Sequence, residues 1–200
     1  MKRLACLAGT ALVLAGCQHA ATLTDDGFNA RQRATQLSAI ADWDLQGRLV
    51  VNDGERREAL RASWQQRGDQ ISLTGRGAVG PVGGFRISGT AEQLVIETTR
   101  SDPETLENPE RDLSDRLGWW MPVTSLEYWL LGQQDPGFPA DVVRGPSGTL
   151  VALHQRDWRI DYPEYQLAEG LLVPRLIRFT HAELELELTV RNWAPAATQP

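Results

Sequence analysis

The chain has 200 residues, of which 42% are hydrophobic and 23% charged, and its formal net charge is −6. A surface this acidic repels a polyanion, so nucleic acid is excluded as a partner. Two cysteines and three histidines leave little material for a disulfide framework or a metal centre.

Met1-Lys2-Arg3 is a positive n-region, and the apolar run from Leu4 to Ala15 is too short to cross a bilayer but typical of a signal h-region. The run ends Leu14-Ala15-Gly16-Cys17, which resembles the bacterial lipobox. That resemblance implies cleavage before Cys17 and a lipid anchor on it. Gln18 stands where lipoproteins kept at the inner membrane usually carry Asp, which implies the outer membrane, facing the periplasm of a Gram-negative bacterium. Removing residues 1–16 leaves about 184 residues, one domain by length, and takes the net charge to about −8 because Lys2 and Arg3 leave. Cys6 leaves as well, so no thiol remains for a disulfide, a metal or a nucleophile. All seven tryptophans remain. The expected organisation is a lipidated tether at 17–25, one domain at 26–193 and a loose tail at 194–200.

From Asp26 the pattern turns helical, with Phe28, Ala34, Leu37 and Ile40 loosely at helix period. Strands follow. Trp43, Leu45, Gly47, Leu49 and Val51 share one side, and Leu60, Ala62 and Trp64 continue at period two. Ile71 and Leu73, then Phe85 and Ile87, then Leu94 and Ile96 mark three more strands. A second block comprises Leu150–Leu153, Trp158–Tyr162, Ile177–Phe179 and Glu183–Val190. The last has the cleanest alternation in the chain, with three glutamates on one face that must be wet. The pattern predicts an antiparallel meander with one polar and one apolar side, curling toward a barrel.

Between the two blocks, Asp102-Pro103-Glu104 and Asn108-Pro109-Glu110 each read as helix starts. Gly118–Gly132 then carries a short helix that Pro122 keeps from starting earlier. Thr124-Ser125-Leu126-Glu127 has the form of a capping box, and Gly132 suits a left-handed C-terminal residue. At about 100° per residue, Leu126, Trp129 and Leu130 share one face, with Tyr128 and Leu131 on the other. A helix this short and apolar on both sides is either sandwiched in the core or carries an apolar ligand on one face. Asp135–Gly148 reads as loop.

Catalytic chemistry is not legible. His19, His154 and His181 have no metal-spaced partner, and no nucleophile and base can be assembled, so neither metal, cofactor nor catalytic residue is expected. Gly75-Arg76-Gly77-Ala78-Val79-Gly80 spells G-x-G-x-x-G, but Pro81-Val82-Gly83-Gly84 follows and leads into a strand, not the helix that a dinucleotide site needs. The same stretch reads either as a flexible hairpin loop or as a loop whose Val79 and Val82 are exposed to touch membrane or a partner.

Several motifs occur in a set order: W-Q-Q-R-G-D at Trp64, the glycine-rich loop with P-V-G at Pro81, M-P-V-T-S-L-E-Y-W-L-L-G at Met121, W-R-I-D-Y-P-E-Y at Trp158, V-P-R-L at Val173 and N-W at Asn192. With the lipobox, this order resembles the LolB family of outer-membrane lipoprotein receptors, over about residues 40–193. The resemblance implies an α+β fold: an incomplete antiparallel β-barrel covered by helices around an apolar cavity. It implies a function without catalysis, in which lipoproteins are taken from the periplasmic carrier LolA and inserted into the inner leaflet of the outer membrane. The partners implied are that carrier, acylated lipoproteins and outer-membrane lipid, with the protein itself a monomer. The family's exposed loop leucine matches Val82, or Val79 if the longer loop shifts the register. Within that fold the short helix becomes a lid, with Leu126, Trp129 and Leu130 toward the cavity and Trp64 and Trp158 among its lining. The rival expectation is a structural or assembly lipoprotein that binds protein partners and has no lipid cavity.

Overall fold

The computed structural model describes residues 26–77 and 83–196, with the side chains of residues 26–30 excepted. Among the described residues eleven strands form one sheet, and every neighbouring pair is antiparallel. The first meander comprises β1 (Asp42–Asn52), β2 (Arg57–Arg67), β3 (Gln70–Arg76), β4 (Phe85–Gly89), β5 (Leu94–Thr98) and β6 (Glu104–Leu106). The second comprises β7 (Asp141–Arg144), β8 (Leu150–Gln155), β9 (Trp158–Ala168), β10 (Leu171–His181) and β11 (Leu184–Pro195). β1 pairs with β11, so the two meanders join through the first and last strands, while β6 and β7 are left as the two edges. The result is an open, incomplete barrel.

Period-two burial explains which side faces in. Trp43, Leu45 and Val51 of β1, Leu60, Ala62 and Trp64 of β2, and Leu184, Leu186, Leu188 and Val190 of β11 are all buried. Glu185 between them is exposed and Glu187 half-buried, as the alternation requires. The helix α1 (Asp26–Ser38) packs against β10, with Leu37 buried. The segment between β6 and β7 holds α2 (Pro109–Leu117), a 3₁₀ turn at Val123–Ser125 and α3 (Leu126–Trp129), whose buried residues join the core of the apolar face.

Three expectations need correction. Glu104 starts no helix: residues 104–106 pair with β5, and Leu106 is buried opposite Leu94. A proline-initiated turn is weak locally, and the open edge of β5 offers backbone partners that win. Residues 141–144 are not loop but the edge strand β7, paired with β8 through a bulge at Val143/Arg144. The last strand also outruns its expected end. Ala194 and Pro195 lie opposite Asp44 and Trp43, and the Ala196 amide donates to the Asp42 carbonyl at 2.9 Å.

Gly47 is required where β1 meets β11. A Cβ there would lie 2.6 Å from the Thr189 carbonyl oxygen, at a bulge in the β1–β11 register. Across the sheet Gly47 faces Ala62, and Ala62 faces Gly75, so three small residues run side by side on the inner face.

Candidate functional site

A cavity of about 60 Å³ lies between the inner face of the sheet and the inserted segment. Leu45, Leu49, Ala62, Trp64 and Leu73 supply the sheet side from β1 to β3. Trp158, Phe179, Leu186 and Leu188 supply it from β9 to β11, and Met121, Pro122, Leu126, Trp129 and Leu130 form the cover. The lining presents only apolar atoms. The structure therefore brings Leu126, Trp129, Leu130, Trp64 and Trp158 together around one space. Tyr128 is half-buried and outside this lining, and Leu131 is buried away from it. Cys17, Val79 and Val82 lie outside the described residues.

The cover is shorter than two helical turns: one 3₁₀ turn and one α-turn, ending at Gly132 with φ +66°. The capping box is absent. Thr124 Oγ1 instead donates to Glu110 Oε1 at 2.6 Å, and the Thr124 amide reaches the same oxygen at 3.3 Å. Glu127 turns toward the sheet, where its Oε2 accepts from Gln66 Nε2 at 3.1 Å. The 3₁₀ geometry moves the chain off the α-helical path on which a capping box depends, and the long-range partners take over both side chains. Burial raises the Glu127 carboxyl above its ordinary range.

Polar groups that the sequence did not reveal hold this cover in place. Arg156, in the β8–β9 turn with φ +54°, sends Nη1 to Glu110 Oε1 at 2.9 Å, Ser125 Oγ at 3.0 Å and Thr124 Oγ1 at 3.2 Å, and pairs Nη2 with Glu110 Oε2. Its guanidinium also lies over Phe138 at 4.2 Å and Trp120 at 5.4 Å. Ser125 Oγ donates in turn to Asp135 Oδ2 at 2.6 Å. Buried Gln155 uses its whole amide: Oε1 accepts from the Trp129 indole at 2.8 Å and the Asp135 amide at 2.9 Å, while Nε2 donates to the Asp135 and Phe138 carbonyls. On the other side Arg33 of α1 donates to the Leu131 carbonyl at 2.7 Å, the Gly132 carbonyl at 3.2 Å and the Leu172 carbonyl at 2.9 Å. Burial lowers the Arg33 guanidinium from its ordinary value, and pushes the neighbouring Tyr165 up to about 12. The cover is thus tied to the sheet at both flanks. Only an isolated polar letter in each element signalled these ties, and no local pattern joins residues 33, 110, 125 and 156.

Trp129 and Trp158 differ in how they are held. The Trp129 indole donates to Gln155, and its carbonyl accepts from Tyr162 Oη at 3.1 Å. The buried Trp158 indole nitrogen has no hydrogen-bond partner among the described residues, and its ring packs edge-on to Phe179 and stacks on His181 at 5.1 Å.

An open antiparallel sheet folded over inserted helices, with an apolar cavity between them, defines the class of fold. A putative outer membrane lipoprotein-sorting protein domain from Vibrio parahaemolyticus shares this fold, with a TM-score of 0.52 and 8% identity, covering 84% of this chain and 90% of that one. The chain belongs to the LolB family: residues 41–193 match the family described as outer membrane lipoprotein LolB. It is 31% identical over 197 residues to the outer-membrane lipoprotein LolB of Nitrosococcus oceani, covering 96% of each chain. It is 30% identical over 188 residues to that of Alkalilimnicola ehrlichii, covering 93% of this chain and 94% of the other.

Proposed function

We propose that this chain is a lipid-anchored acceptor on the periplasmic side of the outer membrane. It takes lipoproteins from a LolA-type carrier, holds their acyl chains in the apolar cavity and inserts them into the membrane. The cavity carries the reading: a LolB-family chain has a wholly apolar lining surface at the point where its cover meets the sheet.

Energetics set the requirement. At about 0.8 kcal/mol per buried CH₂, a C16 chain costs about 12 kcal/mol to expose, so transfer needs a comparable apolar surface at every stage. A cavity of about 60 Å³ is smaller than the ~150 Å³ that takes a single benzene. Loading therefore displaces the cover, and the polar ties of Arg156 and Arg33 are the contacts that must yield. Cys17 as the acylated residue would keep the cavity beside its destination, and Val82 or Val79 would touch the bilayer on release.

Depletion of the protein in its host tests the reading directly. Acylated lipoproteins should accumulate on the periplasmic carrier, and their continued arrival at the outer membrane would overturn it. Val82→Glu should leave acceptance from the carrier intact while impairing release into membrane. Equal loss of both steps would remove the loop from the mechanism.

A further inference from the structure

On the outer face of the sheet, Arg48 of β1 lies directly opposite Arg61 of β2, and Arg61 directly opposite Arg76 of β3. Arg191 is the extra residue in β11 where the register shifts beside Gln46 and Gly47. All four are exposed and line one shallow groove of about 420 Å³. Like charges placed directly opposite on neighbouring strands destabilise a sheet. The chain nevertheless sets them in a row while its net charge is −6. Among the described residues the ion pairs are made by other arginines, namely 67, 116, 156, 159, 175 and 178, and none by these four. The nearby carboxylates are already engaged: Glu187 with Arg178 and Glu185 with Asn52.

We propose that this row, Arg191, Arg48, Arg61 and Arg76, is a docking face for the anionic phospholipid headgroups of a bilayer. The inference rests on the membrane-anchored reading above, and two features favour a bilayer over an acidic protein. The strands carrying the row are interior to the sheet, paired on both sides, so no free backbone edge invites strand addition. The backbone also holds Arg48, Arg61 and Arg76 at strand spacing, about 4.8 Å apart, with Arg191 offset along β11 at the bulge. Diffusing headgroups can gather along such a row, and guanidinium groups bind phosphate oxygens bidentately. A folded protein would have to present carboxylates at the same fixed spacing.

The test uses the full acylated chain with Gln46→Cys, an exposed position beside the row, carrying a fluorophore read against a headgroup quencher. The ratio of docked to undocked molecules should be at least about tenfold higher on vesicles with roughly 30% phosphatidylglycerol than on pure phosphatidylcholine. It should fall about fivefold for each of Arg48→Gln, Arg61→Gln and Arg76→Gln, and collapse at high salt. The thermal midpoint of Arg61→Gln should not fall below the parent's, because the substitution relieves two like-charge contacts. Equal quenching on both vesicles, or a triple variant that docks like the parent, overturns the proposal. Arginine-dependent binding of the periplasmic carrier without any vesicle dependence would overturn it too, by assigning the row to a protein. Flotation with neutral vesicles reads the anchor separately. A chain that fails to float there fails the anchor reading, while its direct binding to anionic vesicles still reports the row.

Discussion

Arg156 and Glu110 form a two-bonded ion pair across 46 residues of sequence, with side chains only 12% and 18% exposed. The pair pins α2 to the β8–β9 turn, and through Ser125 and Thr124 the same guanidinium holds the turn that opens the cavity cover. Removing one partner strands the other in a poorly hydrated place. Arg156→Gln should cost about 2–3 kcal/mol and lower the melting temperature by about 5–10 °C. Arg156→Gln with Glu110→Gln should recover part of that loss. If the pair also holds the cover shut, both variants should bind an apolar dye more strongly at temperatures well below melting. Unchanged dye binding would confine the pair to stability.

Glu127 gives a pH test. Burial is the main cause of its raised carboxyl, and Asp135 adds to it, so the folded state keeps the proton to a higher pH than the unfolded state does. The folded chain therefore holds more bound protons just above the ordinary carboxylate range, and stability falls as pH rises through that window. Glu127→Gln keeps an acceptor for Gln66 and removes the buried charge. Its melting temperature should exceed the parent's at neutral pH by on the order of 1 °C, a small effect because about half the group is solvated. The difference should vanish below the ordinary carboxylate range. A difference that does not change with pH would disprove the assignment.

The half-barrel was legible because the strands carry an unambiguous signal: in Leu184 to Val190 every second residue must be buried, and nothing else satisfies that pattern. Helical spacing puts Leu126, Trp129 and Leu130 on one face, but it leaves open whether that face meets core or cavity. The assignment to a cavity, with Trp64 and Trp158, comes from the family resemblance. What escaped were contacts set by tertiary distance. Thr124 and Glu127 have the spacing of a capping box, yet Glu110 and Gln66 capture them from other elements. Edge strands at 104–106 and 141–144 escaped because their pairing comes from neighbours with open backbone groups, while their own residues are largely exposed.

Trp129 and Trp158 both line the cavity, but only Trp129 makes an indole hydrogen bond among the described residues. Trp129→Phe leaves the Gln155 oxygen one partner short in a buried site. Trp158→Phe removes a donor that has no partner. Beyond the volume lost in both, Trp129→Phe should be the more destabilising by about 1–2 kcal/mol in urea unfolding. Equal losses would mean that the Gln155 amide finds another donor.

Ala62 lies between Gly47 and Gly75 on the inner face; Phe85 and Leu60 fill the room over Gly75 and Leu188 crowds Gly47, while the small side chain of Ala62 borders the cavity. Ala62→Leu adds three carbon atoms to that space. Because room exists, the stability change should stay within about 1–2 kcal/mol, below the upper range for overpacking a filled core. Each displaced methylene of a bound acyl chain forfeits about 0.8 kcal/mol, so affinity for a C16 chain should fall by about 50-fold. The two readouts separate the explanations. Loss of affinity with the fold intact places the acyl chain against β2 under the cover. Undiminished affinity in a stable Ala62→Leu variant would mean that the displaced cover, and not this cavity, provides the surface on which lipid is held.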